Sequence, residues 1–172
     1  MQRPVVCPSE WVKINQEENG VAWGARDDSP GKWEVASRVC GRKLKLQNRS
    51  GGVNCNVNAY SNSSFGCDPS RAGSSANRIG VFVTLGKGFE YAIVPSANDP
   101  KAGIRSDKIF YSLSGYSASS NYLEFDLPLT DDESYFCFEK GTEYQLWYGE
   151  DMYDATESDN GGTAYTDIYI MN

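Results

Sequence analysis

The densest run of oxygen ligands in the chain is Glu150-Asp151-Met152-Tyr153-Asp154-Ala155-Thr156-Glu157-Ser158-Asp159-Asn160-Gly161-Gly162. Five carboxylates fall within ten residues, and Asn-Gly-Gly follows, which allows a tight backbone turn. Crowded carboxylates repel one another unless something positive sits among them, and Ca²⁺ accepts six to eight oxygen ligands on flexible loops. The run therefore predicts a Ca²⁺ site built from Asp151, Asp154, Glu157 and Asp159, joined by Asp131 and Asp132 of the neighbouring acidic stretch. The EF-hand spacing is missing, so a merely solvated acidic loop is the competing reading.

The chain contains no histidine. That removes Ser-His-Asp and Cys-His nucleophilic systems, His-ligated zinc and imidazole acid–base chemistry together. Carboxylate catalysis remains open in principle, because a glycosidase needs only two carboxylates a few ångströms apart. Glu34, Glu90, Glu124 and Glu139 would be the candidates, but no neighbouring residue marks any of them. The expectation is a protein that is not an enzyme.

Aromatic residues supply the second kind of chemistry. With 11 Tyr and 4 Trp, some rings lie where a core cannot easily absorb them. Tyr153 sits inside the acidic run, Trp147 and Tyr148 precede it, and Tyr116 lies in a Ser-rich loop. A rigid amphipathic ring suits the apolar face of a sugar. These four are the expected ligand-contacting residues. Trp23, Trp33, Phe82 and Tyr91 are expected in the core.

The five cysteines, Cys7, Cys40, Cys55, Cys67 and Cys137, lack C-x-x-C or other metal-ligand spacing. Disulfides in an oxidising compartment are the better account. Cys67 lies in a long loop, 61–77, that has little to bury, and Cys55 lies on the strand before it; a Cys55–Cys67 bridge would tie that loop down. One cysteine must be left over, as a free thiol or an intermolecular bridge. Sequons at Asn48 and Asn62 fit glycosylation of a secreted protein. Met1-Gln2-Arg3-Pro4 opens no apolar leader, so the sequence reads as starting at a mature N-terminus.

The elements that must position these residues are strands. Apolar residues alternate with polar ones in Val53–Ala59, Ile79–Leu85, Phe89–Val94, Lys108–Leu113, Tyr122–Leu127, Tyr135–Glu139, Tyr144–Tyr148 and Ala164–Ile170. Gly20–Arg26 reads as a first strand and Lys32–Gln47 as one long strand bent near Gly41. Residues 1–19 read as an N-terminal edge segment. About ten short strands with no sustained helical stripe predict a single all-β domain over 1–172. The expected architecture is an antiparallel two-sheet β-sandwich of jelly-roll type.

If every connection reverses direction, alternate loops leave by the same end. The loops 27–31, 61–77, 95–106, 128–133 and 149–162 would then gather 12 of the 23 carboxylates, and 48–52, 86–88, 114–120 and 140–142 would form a neutral to basic opposite end. The net charge of −7 disfavours nucleic acid as a partner. No apolar run is long enough for a membrane-inserted helix. The sequence thus predicts a secreted binding or adhesion module for carbohydrate or an extracellular protein, with Ca²⁺ ordering its acidic end. The rival is a structural, self-associating extracellular subunit of a matrix, fibre or capsid, and a carboxylate glycosidase stands third.

Overall fold

The computed structural model describes residues 5, 7–68, 78–130 and 132–172. Among them run β1 (Val12–Lys13), β2 (Val21–Gly24), β3 (Gly31–Trp33), β4 (Val39–Gly41), β5 (Lys43–Asn54), β6 (Val81–Thr84), β7 (Ala92–Val94), β8 (Ala102–Ile104), β9 (Tyr111–Leu113), β10 (Tyr122–Asp126), β11 (Phe136–Phe138), β12 (Tyr144–Tyr148), one helical turn α1 (Gly149–Met152) and β13 (Gly161–Met171). Every pairing is antiparallel. One main sheet has the order β1-β13-β5-β10, with β2 also on β13; the other has the order β3-β12-β6-β7. Two hairpin-sized pairs, β11-β4 and β8-β9, complete an all-β sandwich.

The period-two pattern explains the packing. On β13, Ala164, Thr166, Ile168 and Ile170 are fully buried, while Tyr165 and Tyr169 point the other way into solvent. Their inward neighbours include Leu44 and Leu46 of β5, Leu123 and Phe125 of β10, and, from the second sheet, Trp33, Phe82 and Leu146. Trp23, Trp33 and Phe82 are core residues as expected; Tyr91 is not, standing half exposed at the end of a 3₁₀ turn over Phe89–Tyr91.

The described residues form 13 strands rather than about ten. β5 ends at Asn54, so that residues 55–59 turn instead of continuing a strand, and β8 lies within the expected loop 95–106. Two further departures bear on the site. The stretch 32–47 is not one bent strand but three, because β3, β4 and the start of β5 join different sheets. The stretch 48–52 is not a turn. Its glycines let β5 continue against β13: Gly51 has φ +67°, and a Cβ there would meet the Thr163 carbonyl oxygen. The register slips beside it, where Tyr165 faces Ser50 but Thr166 faces Asn48, a bulge that increases local twist.

Both departures change which loops share an end. β13 begins at Gly161 opposite Asn54 and finishes at Met171 opposite Lys43. Lys43 in turn faces Asp126, so the loop after β10 leaves from the Met171 end. Eleven residues of strand span about 35 Å, so β10 ends at Asp126 at the opposite end of this sheet from 149–160.

Candidate functional site

The acidic segment 149–160 is compact. Gly149 opens α1 against the Ile109 carbonyl, where any Cβ would collide, and the whole turn Gly149–Met152 is buried. That burial forces the two acidic side chains of α1 to find partners. Asp151 accepts the backbone N–H of Asp28 at 2.9 Å and that of Ser29 at 2.8 Å, one on each oxygen. It thereby caps the turn between β2 and β3. Asp27 and Asp28 both stand at positive φ, as do Asp154 and Thr156, a backbone region that aspartate tolerates better than most residues.

A single ammonium joins the two strained segments. Lys87 Nζ lies 2.6 Å from Asp28 Oδ1 and 3.1 Å from Asp154 Oδ1, and 5.6 Å from the centre of the Trp147 ring. The hydrogen bond to Asp28 is the main reason its pKa is raised. Lys87 belongs to the turn after β6, which the alternation of loops assigns to the opposite, basic end. The structure brings it to the acidic end instead. The sequence carried only one signal for this role, a lone lysine between two turn glycines.

Glu150 is buried, and Thr156 Oγ1 donates to its Oε2 at 2.6 Å while Oε1 has no partner. Desolvation pushes its pKa up to about 7. Glu157 is also raised, chiefly because it shares a hydrogen bond with the Asp151 carboxyl. Asp159 is half-buried, with its backbone carbonyl accepting from Val57 N–H at 2.9 Å. Asp151, Asp154 and Glu157 are thus neighbours in one network with Asp28 and Lys87. Among the described residues, however, no group of three or more acidic, cysteine or histidine side chains is placed to hold a metal ion.

The remaining site residues are scattered. Asp131 lies outside the described residues. Asp132 does not join the acidic loop; it lines a cleft with Arg38 and Glu139 near β11, because β10, which precedes it, ends at the far end of the sheet. Tyr148 is 0% exposed and packs edge-on against Phe110, and Trp147 is 4% exposed, so neither ring is an open platform: both belong to β12, a central strand. Tyr153 is 38% exposed, and its hydroxyl accepts the Phe89 N–H at 2.9 Å. Tyr116 lies half-buried and edge-on to Tyr122 at 5.8 Å, far along the chain from the acidic loop. Glu34, Glu90 and Glu139 are exposed, and Glu139 is held by Arg38 at 2.8 Å.

Beside the acidic segment lies a cleft of about 470 Å³ lined by residues 22–27, Ser29, Pro30 and Gly161–Thr163. Arg26, Asp27, Ser29 and Thr163 give it charged and hydroxyl groups suited to a polyhydroxylated ligand. Cys55 and Cys67 are joined, as the loop argument requires, and a second disulfide, Cys40–Cys137, closes a separation of 97 residues between β4 and β11. Cys7 is the free thiol. Asn62 is exposed in its loop, whereas Asn48 lies within β5 with its amide donating to Gly51 O at 3.3 Å. No helix among the described residues is long and apolar enough to cross a membrane.

No protein-family model matches the sequence, and no curated protein does. Among solved structures, the chain is similar to AJLec from the sea anemone Anthopleura japonica, with a TM-score of 0.77 and 26% identity over 96% of this chain and 99% of that one.

Proposed function

We propose that the protein is a secreted, non-enzymatic carbohydrate-binding module. The observation that carries this reading is the near-complete structural likeness to AJLec, a sea-anemone lectin. The cleft beside β2 and β13 supports it by offering hydroxyl, guanidinium and carboxylate groups rather than an apolar pocket. The two disulfides fit an oxidising, extracellular setting, and Asn62 is the sequon open to glycosylation.

In this reading Lys87, rather than a bound Ca²⁺, holds the acidic end together. Of the four carboxylates singled out from the sequence, Asp151 is engaged by backbone N–H groups and Asp154 by Lys87, while Glu157 neighbours the Asp151 carboxyl with its Oε2 left without a partner. A glycan array probed with the purified protein, in Ca²⁺ and in EDTA, tests both parts. Binding to a defined set of glycans in both buffers is expected. No glycan binding in either buffer would overturn the reading, and binding only in Ca²⁺ would overturn the role of Lys87.

A further inference from the structure

The outer face of the five-stranded sheet gathers aromatic rings around one cation. Along β5 and β10 the inward residues are Leu44, Leu46, Leu123 and Phe125, so Lys43, Lys45, Gln47, Tyr122, Glu124 and Asp126 face outward. Tyr169 of β13 is paired with Lys45 and with Lys13 of β1. Lys45 Nζ lies 4.9 Å from the Trp11 ring, 4.8 Å from Tyr169 and 5.9 Å from Tyr122. Tyr116 extends the row, edge-on to Tyr122. These rings come from four separate parts of the chain, and none is fully buried.

The charges on this face do not cancel locally. Asp167 is taken by Lys13 at 3.2 Å and by Arg49 at 3.3 Å, and Asp126 by Lys101 at 3.3 Å. Glu124 lies directly across from Lys45 on β10, yet no ion pair within 4 Å joins the two among the described residues. Lys43 and Lys45 have no carboxylate within 4 Å among the described residues, and the Lys45 ammonium has no hydrogen-bond acceptor there. A chain of net charge −7 therefore presents Lys45 on one sheet face, among rings and without an ion pair within 4 Å among the described residues. Aromatic faces attract an ammonium but leave its N–H groups unsatisfied.

We infer that this face is a binding platform for an anionic glycan, with sugar rings laid on Trp11, Tyr169 and Tyr122 and an acid group of the glycan on Lys45. The inference rests on the carbohydrate reading above and names a surface and a ligand class that the reading does not. Rings supply the apolar contact that a pyranose face needs. Lys45 supplies the charge, beside a Gln47 amide whose nitrogen already donates to the Asn121 carbonyl at 3.1 Å. The shared chemistry is a fixed negative group on a sugar, either carboxylate or sulfate.

The test compares neutral, uronate-bearing and sulfated oligosaccharides on one array at low and at high salt, with Lys45→Met, Lys45→Arg, Tyr169→Ala and Tyr122→Ala proteins. Lys108→Met serves as a charge-matched control, since Lys108 lies off this face over Phe89. Uronate or sulfate ligands are expected to bind and to weaken with salt. Lys45→Met should lower their binding at least tenfold while Lys45→Arg keeps most of it. Each tyrosine variant should weaken binding several-fold at an unchanged unfolding cooperativity. Glycan binding that survives Lys45→Met and both tyrosine variants would overturn the platform and leave the carbohydrate reading standing. Binding of neutral glycans alone would overturn the anionic specificity, and no glycan binding at all would overturn both.

Discussion

Asp151 holds Asp28 by its backbone: one carboxylate oxygen accepts the Asp28 N–H at 2.9 Å, and the other takes the next N–H along. The acceptor is fully buried and the donors sit on a turn with two consecutive positive-φ residues. The β2–β3 turn thus has its shape dictated by a residue of α1. Charge-assisted bonds of this kind are each worth about 1.5–3 kcal/mol. Asp151→Ala is expected to cost about 2–4 kcal/mol in chemical unfolding, and Asp151→Asn about half as much, because an amide keeps one acceptor. Equal stability of all three proteins would show that the turn holds itself.

Glu150 gives a pH dependence with a definite sign. Its folded pKa of about 7 lies above the ordinary 4.5 because burial disfavours the charge. Below pH 4.5 the carboxyl is neutral in both states and costs nothing. As pH rises from 4.5 through 7, the unfolded chain ionises first and stability is lost. Glu150→Gln should therefore match the wild type at pH 4 and exceed it above pH 7, by about 2–3 kcal/mol. Thermal melts of the two proteins between pH 4 and 8 check this; parallel curves would show that Glu150 reaches solvent when ionised.

Removing Lys87 should reveal the repulsion it suppresses. Wild-type melting temperature is expected to be the same in EDTA and in millimolar Ca²⁺. In Lys87→Met, Asp28 and Asp154 lose their shared cation. The variant should melt slightly lower in EDTA, by less than about 1 kcal/mol for so exposed a pair, and regain stability when Ca²⁺ is added. A Ca²⁺ response in the wild type that the variant does not enlarge would assign the ion to another place.

The cysteines separate by their loops. Alkylation of the native, non-reduced protein should label Cys7 alone, and peptide mapping should recover Cys40–Cys137 and Cys55–Cys67 as pairs. In the chain-entropy account the 97-residue closure contributes about 4–5 kcal/mol and the 12-residue one about 3 kcal/mol. A Cys40→Ala/Cys137→Ala protein should be the less stable of the two double variants. The opposite order in urea melts would mean that the 55–67 tie supports more than its own loop.

Strand identity was legible where one face is buried. Tyr144–Tyr148 has the expected limits, and Tyr122–Asp126 and Gly161–Met171 differ from the expectation only at their ends. What alternation cannot show is which sheet a strand joins. The run through Arg42 reads as continuous, yet β4 and β5 pair with different partners. Glycine misled in the same way at Ser50-Gly51-Gly52, where it permits close strand approach rather than a turn. One such miscount moves every later loop to the other end, which is why Lys87 was assigned away from Asp28 and Asp132 toward Asp151. The Cys55–Cys67 bridge was legible because its argument was local. The ring cluster around Lys45 was not, since Trp11, Lys45, Tyr122 and Tyr169 meet only through strand register.

The pairing of β13 also sets the order of events during synthesis. β1, β2 and β5 all hydrogen-bond to it, and contacts such as Trp23 Nε1 to Thr166 Oγ1 join residues 143 positions apart. While a ribosome is still making the middle of the chain, β1 and β2 have exposed edges and no strand partner, and β5 has none until β10 follows it. Such long closures make folding slow, and unpaired edges in that interval invite pairing between neighbouring nascent chains. The interval ends only when Gly161–Met171 emerges, so the burden of keeping this chain from aggregating falls on whatever shields it before then.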